Sequence, residues 1–366
     1  MFLRLGLTAF GGPAAHIALI EAEVVRRRNW LTQEQFLDLL GVTNLIPGPN
    51  STELAIHIGR ERAGWTGLLV AGAAFILPAA LLSAGFAWMY VRFGTLPQLA
   101  AALYGVKPVI LAIVAQAFIG LTPKAAKNSW LAALGVLTLF AVWLGVAELW
   151  CLFGCGLLSV LARRKQAGGA LLPAFMPSAP VALGTAGALA VPFSLSGLFL
   201  VFSKIGAVLF GSGYVLLAFL RSELVQNRHW LSEGQLLDAV AVGQITPGPV
   251  FTTATFIGYV LGGGRGALLA TVGIFLPAFC FVALSALVMP RLRRSQDLSA
   301  FLDGVNVASL ALLAAVTIEL CRAALVDLAS VALALISGAL LLRFKLNSTW
   351  LISGGAVIGI VLHGLR

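Results

Sequence analysis

A Pro-Gly-Pro step stands inside an apolar region at NLIPGPNSTE, residues 44 to 53, and returns in QITPGPVFTT, residues 244 to 253. Pro47, Pro49, Pro247 and Pro249 lack the backbone N–H and clash with the preceding turn, so no regular helix runs through either stretch. Each predicts a helix, a break and a second helix. The second helix starts within the apolar layer with its first N–H groups unpaired and the positive end of its dipole facing the gap, which favours an anion there.

The surrounding chain is 60% hydrophobic and 10% charged over 366 residues, against roughly 25% charged residues in a soluble protein. It reads as an all-α polytopic membrane protein. Forty glycines suit the close backbone approach of helices in lipid. The net charge of +10 lies in short basic clusters between apolar runs, the pattern of cytoplasmic loops rather than of a nucleic-acid surface. Cys151, Cys155, Cys280 and Cys321 all fall in apolar segments, without disulfide or zinc spacing, and read as small core residues. The start, MFLRLGLTAFGG, has the look of a secretory signal. Its internal copy argues otherwise, since Phe2, Gly6, Phe10 and Gly11 recur as Phe202, Gly206, Phe210 and Gly211.

At an offset of 200, residues 2 to 52 match residues 202 to 252 at 18 of 51 positions, including Glu23/Glu223, Arg28/Arg228, Trp30/Trp230 and Asp38/Asp238. One residue is then lost, and the register continues through Gly59/Gly258, Gly67/Gly266 and Gly105/Gly304. The chain is two copies of one unit: residues 1–162, a linker at 163–195 and residues 196–366. In the first copy the pattern predicts a membrane helix over 2–22, a broken pair over 33–59, long apolar helices near 64–91 and 98–121, and two short spans bent near Gly145. The second copy repeats the order with 196–220, a broken pair at 233–259, helices at 266–289 and 299–321, and short spans at 328–342 and 349–363. Thr32 with Gln35, and Ser232 with Gln235, have the form of capping boxes.

The arm before each break is too short for a ~30 Å hydrocarbon core, so each pair is either one broken span or a re-entrant hairpin, and the positive-inside rule favours the hairpin, since a spanning pair scatters the basic clusters over both faces. Five crossings per copy then make the second copy inverted, giving two homologous inverted-topology repeats. With the amino terminus outside, the clusters at Arg26 to Arg28, Arg163 to Lys165 and Arg291 to Arg294 all become cytoplasmic. Trp30 and Trp230 then serve as interface anchors.

Two hairpins entering from opposite faces bring their tips together near the midplane. The candidate substrate-binding residues are Asn44, Pro47, Gly48, Pro49, Asn50, Ser51 and Thr52 from one tip, and Gln244, Thr246, Pro247, Gly248, Pro249, Thr252 and Thr253 from the other. Such backbone and side-chain donors suit a tetrahedral oxyanion. Gly11, Gly12 and Gly211 mark kinks in the first helix of each copy. Arg4 and Lys204, equivalent cations in those helices, supply charge to an anion path or snorkel to an interface. Lys107, whose repeat partner is Asn306, is a substrate or counter-charge candidate. Asp38/Asp238, and Glu23/Glu223 with Arg28/Arg228, read as loop and helix-end ion pairs. Glu53 either completes a capping box with Asn50 or carries a proton at membrane depth. His57 is a second titratable candidate for proton coupling. His16, His57, His229 and His363 are too dispersed for a metal or haem pair, and no metal or cofactor is expected. No GxxxxGK[ST] or HExxH occurs, so ATP does not drive the protein directly.

FLRLGLTAFGGPAAHI, RRRNWL, LLGVTNLIPGPNSTELAIHIG and GWTGLLVAGAAFILPA closely resemble the chromate ion transporter family. KIGAVLFGSGYVLL, WLSEGQLLDAVAVGQITPGPVFTTATFIGYVLGG and GIFLPAF are similar to its carboxy-terminal domain. The family's signature positions fall here on Gly11, Gly12 and Pro13, on Pro47 to Asn50, on Gly211 and on Pro247 to Pro249. The resemblance implies an inner-membrane protein of two oppositely oriented domains that exports chromate, confers resistance to it and draws on the proton motive force. One departure lies at the start, where Met1 is almost inside the first helix and the family usually has a cytoplasmic segment.

Three other readings stay open: sulfate or general oxyanion transport, a passive anion channel, and a membrane-bound oxidoreductase acting on chromate. The last would need a flavin, haem or metal site. Membrane lipid surrounds the chain, a homodimer is left open, and neither nucleotide nor nucleic acid is an expected partner.

Overall fold

The structure is a computed structural model that describes residues 1–9, 12–94, 96–166, 192–210, 213, 215–292, 295–344, 346 and 348–364. Its regular elements are all helical. The first copy begins with α1 (Phe2–Thr8) and α2 (Gly12–Glu21), closes that segment with a π-helical turn (Ala22–Arg27), and continues into α3 (Gln33–Thr43). After the first Pro-Gly-Pro come α4 (Asn50–Phe93), α5 (Pro97–Ala125), α6 (Ser129–Trp143) and α7 (Glu148–Gln166). The second copy repeats this with α8 (Leu195–Val208), α9 (Leu216–Leu220), a π-helical turn (Arg221–Gln226) and α10 (Glu233–Ile245). A 3-10 turn (Val250–Thr252), α11 (Thr253–Leu292), α12 (Gln296–Ala324), α13 (Leu328–Phe344) and α14 (Ser348–Gly364) complete it. Arg163 to Lys165, expected in the linker, continue α7, while residues 167–191 lie outside the described residues.

Among the described residues, four stretches are long and apolar enough to cross a membrane: Asn50–Phe93, Pro97–Ala125, Val250–Ser285 and Gln296–Ala324. The chain is a multi-pass membrane protein. The two arms that precede the breaks, α3 and α10, have only 11 and 13 residues, or roughly 17 and 20 Å at 1.5 Å per residue. Both open with the expected capping box, Thr32 with Gln35 and Ser232 with Gln235.

α4 and α11 each fold back on themselves. Ala63 and Gly64 in α4, and Gly262 and Gly263 in α11, leave helical geometry, with φ +60° at both Gly64 and Gly263. Gly59 then packs its backbone directly on Gly67 and Ala71, residues that in a straight helix would stand ~12 and ~18 Å away along the axis. Gly258 meets Gly266 and Ala270 in the same way. Only the absence of a side chain allows helices this close.

The copies interlock rather than sit side by side. α6 and α7 of the first copy pack on α12 of the second, α13 and α14 pack on α5, and α4 meets α11. Within each copy the opening helix packs on the long one, α1 on α4 and α8 on α11.

Candidate functional site

The opening helix of each copy is interrupted rather than merely kinked. α1 stops at Thr8 and α2 starts at Gly12, while α8 stops at Val208 and α9 starts at Leu216. The reason lies in the other copy. Gly48 donates its N–H to the Leu209 carbonyl at 2.8 Å, and Gly248 donates to the Ala9 carbonyl at 2.9 Å. Each Pro-Gly-Pro is thus tied to the unwound backbone of the opposite copy's first helix, and a buried carbonyl freed from helical pairing gains a donor. Gly48 and Gly248 have φ +137° and +90°, which L-residues rarely adopt. Gly11 and Gly211, the kink positions read from the sequence, lie outside the described residues.

The tips meet. His16, Pro49, Asn50, Ser51, Gly213, Pro249, Val250 and Phe251 line one small cavity of about 20 Å³, room for about one water molecule. Its two walls differ. The first tip brings Asn50 and Ser51, with the opening N–H groups of α4, which have no carbonyl one turn back. The second brings Val250 and Phe251, an apolar wall backed by Phe275 at 6.2 Å between ring centroids. Thr252 and Thr253 turn their hydroxyls onto the carbonyls of Pro249 and Val250, both at 2.8 Å. Thr253 and Gln244 instead line an adjoining cleft of about 10 Å³ that shares Gly213 and Val250 with the first. Thr246 donates to the Val242 carbonyl. Across the first break, the Asn50 amide donates to the Asn44 side-chain oxygen at 2.7 Å.

Glu53 does not form the capping box with Asn50. The N-cap position falls to Pro49, with no side-chain cap bond. The Glu53 side chain lies fully buried beside Gly48, and neither carboxyl oxygen has a hydrogen-bond partner among the described residues. An ionised carboxyl in that position would be an unpaired charge away from water, which is costly. Thr52 is likewise buried with an unpartnered hydroxyl, and His57 is buried one turn beyond Glu53 on α4.

The structure places the candidate cations away from the cavity lining. Arg4 lies 3.4 Å from Glu23, which Arg27 and Arg28 also engage at 2.7 and 3.2 Å. The Arg27 hydrogen bond leads in holding the Glu23 carboxyl below the usual carboxylate range. Lys204 pairs with Glu223 at 2.5 Å, and Arg228 joins at 2.6 Å. Lys107 lies 3.4 Å from Asp238, whose other oxygen accepts from the Tyr90 hydroxyl at 3.0 Å. Asp238 therefore does not make the helix-end pair expected from sequence. It sits within α10, bound to two elements of the opposite copy. Of the four cysteines, Cys151 and Cys155 are buried and Cys280 is exposed. No cluster of metal-ligating side chains occurs among the described residues.

Gly213, Val250 and Phe251 line the cavity without being candidates from the sequence, and so does His16. It is buried, with Nε2 3.1 Å from the Ala9 carbonyl and Nδ1 3.3 Å from the Ser51 hydroxyl. Its counterpart in the second copy is Leu216, so the repeat gave it no emphasis.

The sequence pattern of the family described as "Chromate transporter" matches residues 1–160 and 196–360. The chain is 35% identical over 370 residues to a protein named "Chromate transport protein" from Cupriavidus metallidurans, covering 100% of this chain and 92% of the relative. It is 34% identical to a "Chromate transport protein" from Pseudomonas aeruginosa, over 88% of this chain and 80% of that one. An "Uncharacterized transporter" from Methanocaldococcus jannaschii is 26% identical over 94% of this chain and 88% of its own length. No solved structure matches. With its pattern matched in both copies and relatives above 30% identity matched over 80% or more of their length, the chain belongs to the chromate transporter family.

Proposed function

We propose that this protein is a secondary transporter that exports chromate across the inner membrane, drawing on the proton motive force and conferring resistance to chromate. The observation that supports it most is the meeting of both Pro-Gly-Pro tips around one cavity, each tied to the unwound helix of the other copy. Chromate binds between the tips, where the opening N–H groups of α4, Asn50 and Ser51 replace part of its hydration shell. The present cavity fits about one water, so this is a closed state, and the tips part to admit the anion. Opposite insertion of the two copies gives each tip access from its own face. The short arms α3 and α10 and the distribution of basic clusters favour that arrangement.

Glu53 carries the coupling proton. A bound dianion repels an ionised carboxyl nearby, so proton binding at Glu53 and anion binding between the tips favour one another, a reciprocal linkage; the pair crosses with net charge −1, and the membrane potential, negative inside, is the component of the proton motive force that draws it outward. Uptake of labelled chromate and sulfate into everted vesicles, under imposed pH and voltage gradients, tests the function. Chromate accumulation that requires the protein and responds to the pH gradient is expected. Flux of both anions that merely follows their own gradients would make the protein a passive channel. Glu53→Gln keeps the buried shape without a titrating proton: it is expected to retain chromate exchange and lose pH-driven accumulation. Wild-type accumulation by that variant excludes the coupling role.

A further inference from the structure

His16 joins two parts of the site. The Ala9 carbonyl that accepts from Gly248 at 2.9 Å also faces His16 Nε2 at 3.1 Å. A carbonyl only accepts, so Nε2 carries the hydrogen in this bond. In the neutral ring Nδ1 is then an acceptor, and the Ser51 hydroxyl, 3.3 Å away, is its donor. Ser51 spends its single hydrogen on the ring and shows the cavity only lone pairs. That is the wrong polarity for an oxyanion.

A proton on Nδ1 reverses this. The ring becomes a donor at both nitrogens, the Ser51 oxygen accepts from it, and the hydroxyl hydrogen is released toward the cavity. We propose that His16 is a specificity-determining residue of the oxyanion site, switching Ser51 from acceptor to donor when it takes up a proton and adding a positive charge beside the bound anion. The inference rests on the reading of the tips as the oxyanion site. The proton reaches Nδ1 through the cavity, since Nε2 is committed to Ala9.

The surroundings leave the anion as the natural partner of that charge. No Asp, Glu, Lys or Arg lines the cavity among the described residues. From the second tip His16 faces Pro249, Val250 and Phe251, and from α4 it faces Ser51 and the edge-on ring of Phe75, 6.0 Å between centroids. Glu53, the nearest titratable group along α4, lies against Gly48. His57 follows one turn later.

The test is chromate exchange by the purified protein in liposomes, across about pH 5 to 8: burial disfavours a charged ring in the empty site, and the bound anion favours it, so proton and anion arrive together. Chromate itself takes up a proton in this range, so the readout is the ratio of variant to wild-type KM at each pH. For His16→Gln, which preserves one donor and one acceptor but cannot charge, the ratio is expected to be about tenfold at the acid end and to fall to near one at the alkaline end. Ser51→Ala keeps the imidazole, and is expected to raise KM about tenfold at acid pH through loss of one charge-assisted donor. A His16→Gln ratio that does not change with pH, or a wild-type KM for Ser51→Ala at acid pH, overturns the proposal. If His16→Gln does not fold, Ser51→Ala decides. Absence of any chromate or sulfate exchange in the wild type would instead overturn the reading of the tips, and this inference with it.

Discussion

Gly48 and Gly248 carry the strictest demand on a single residue. Both need a backbone conformation that side chains resist, and each meets a wall: a β-carbon on Gly48 would overlap the Glu53 carboxyl, and one on Gly248 would come 2.8 Å from Ala79 and 2.9 Å from the Gly6 carbonyl. Gly48→Ala is therefore expected to cost about 1 to 3 kcal/mol in thermal unfolding in detergent, and to remove pH-driven chromate accumulation by displacing the Glu53 carboxyl. The break was legible because two prolines flank a glycine, so that two N–H groups are missing within three residues beside the weakest helix former but one; a single proline does not suffice, since Pro78 and Pro108 stay inside α4 and α5. Side-chain direction was not legible. Thr252 and Thr253 carry hydroxyls at the right positions, yet each has a carbonyl of its own turn within reach and bonds to that. His16 was missed for the opposite reason, since its partner Ser51 comes from 35 residues away and a lone histidine in an apolar segment has no spacing to betray it.

Among the helices, the unexpected joint is that between α10 and the opposite copy. Asp238 is nearly buried, with 5% of its side chain exposed, and is held by Lys107 of α5 and Tyr90 of α4. In the second copy Asn306 stands where Lys107 would recur. Removing Lys107 leaves the Asp238 charge buried, so Lys107→Asn is expected to destabilise by about 3 kcal/mol, and the double variant Lys107→Asn/Asp238→Asn to recover much of that loss. Detergent melts of the two singles and the double measure it. An additive double variant would mean the ion pair does not join the copies. The sequence showed the capping boxes and helix bounds because hydroxyl and amide pairs three residues apart are local signals. It could not show that α13 and α14 pack on α5, since uniformly apolar helices have no face that names a neighbour.

At the scale of the molecule, duplication supplies the geometry and divergence supplies the chemistry. Both copies keep the Pro-Gly-Pro, the interrupted first helix and the glycine-packed fold-back. Only the first keeps His16, Asn50, Ser51 and Glu53, opposite Leu216, Val250, Phe251 and a threonine. One tip thus offers donors and a titratable acid, and the other offers an apolar wall. If the copies insert oppositely, single cysteines at Arg27 and Asn227, in a background lacking the four native cysteines, label from opposite sides of the membrane. Labelling from the same side contradicts the inversion. The most direct test of the central claim is to locate chromium by its anomalous scattering in crystals of the protein grown with chromate. The peak is expected between residues 49–51 and 249–251, within reach of Ser51. A peak elsewhere, such as in the polar cavity beside Arg221 and Asn227, with none between the tips, would contradict it.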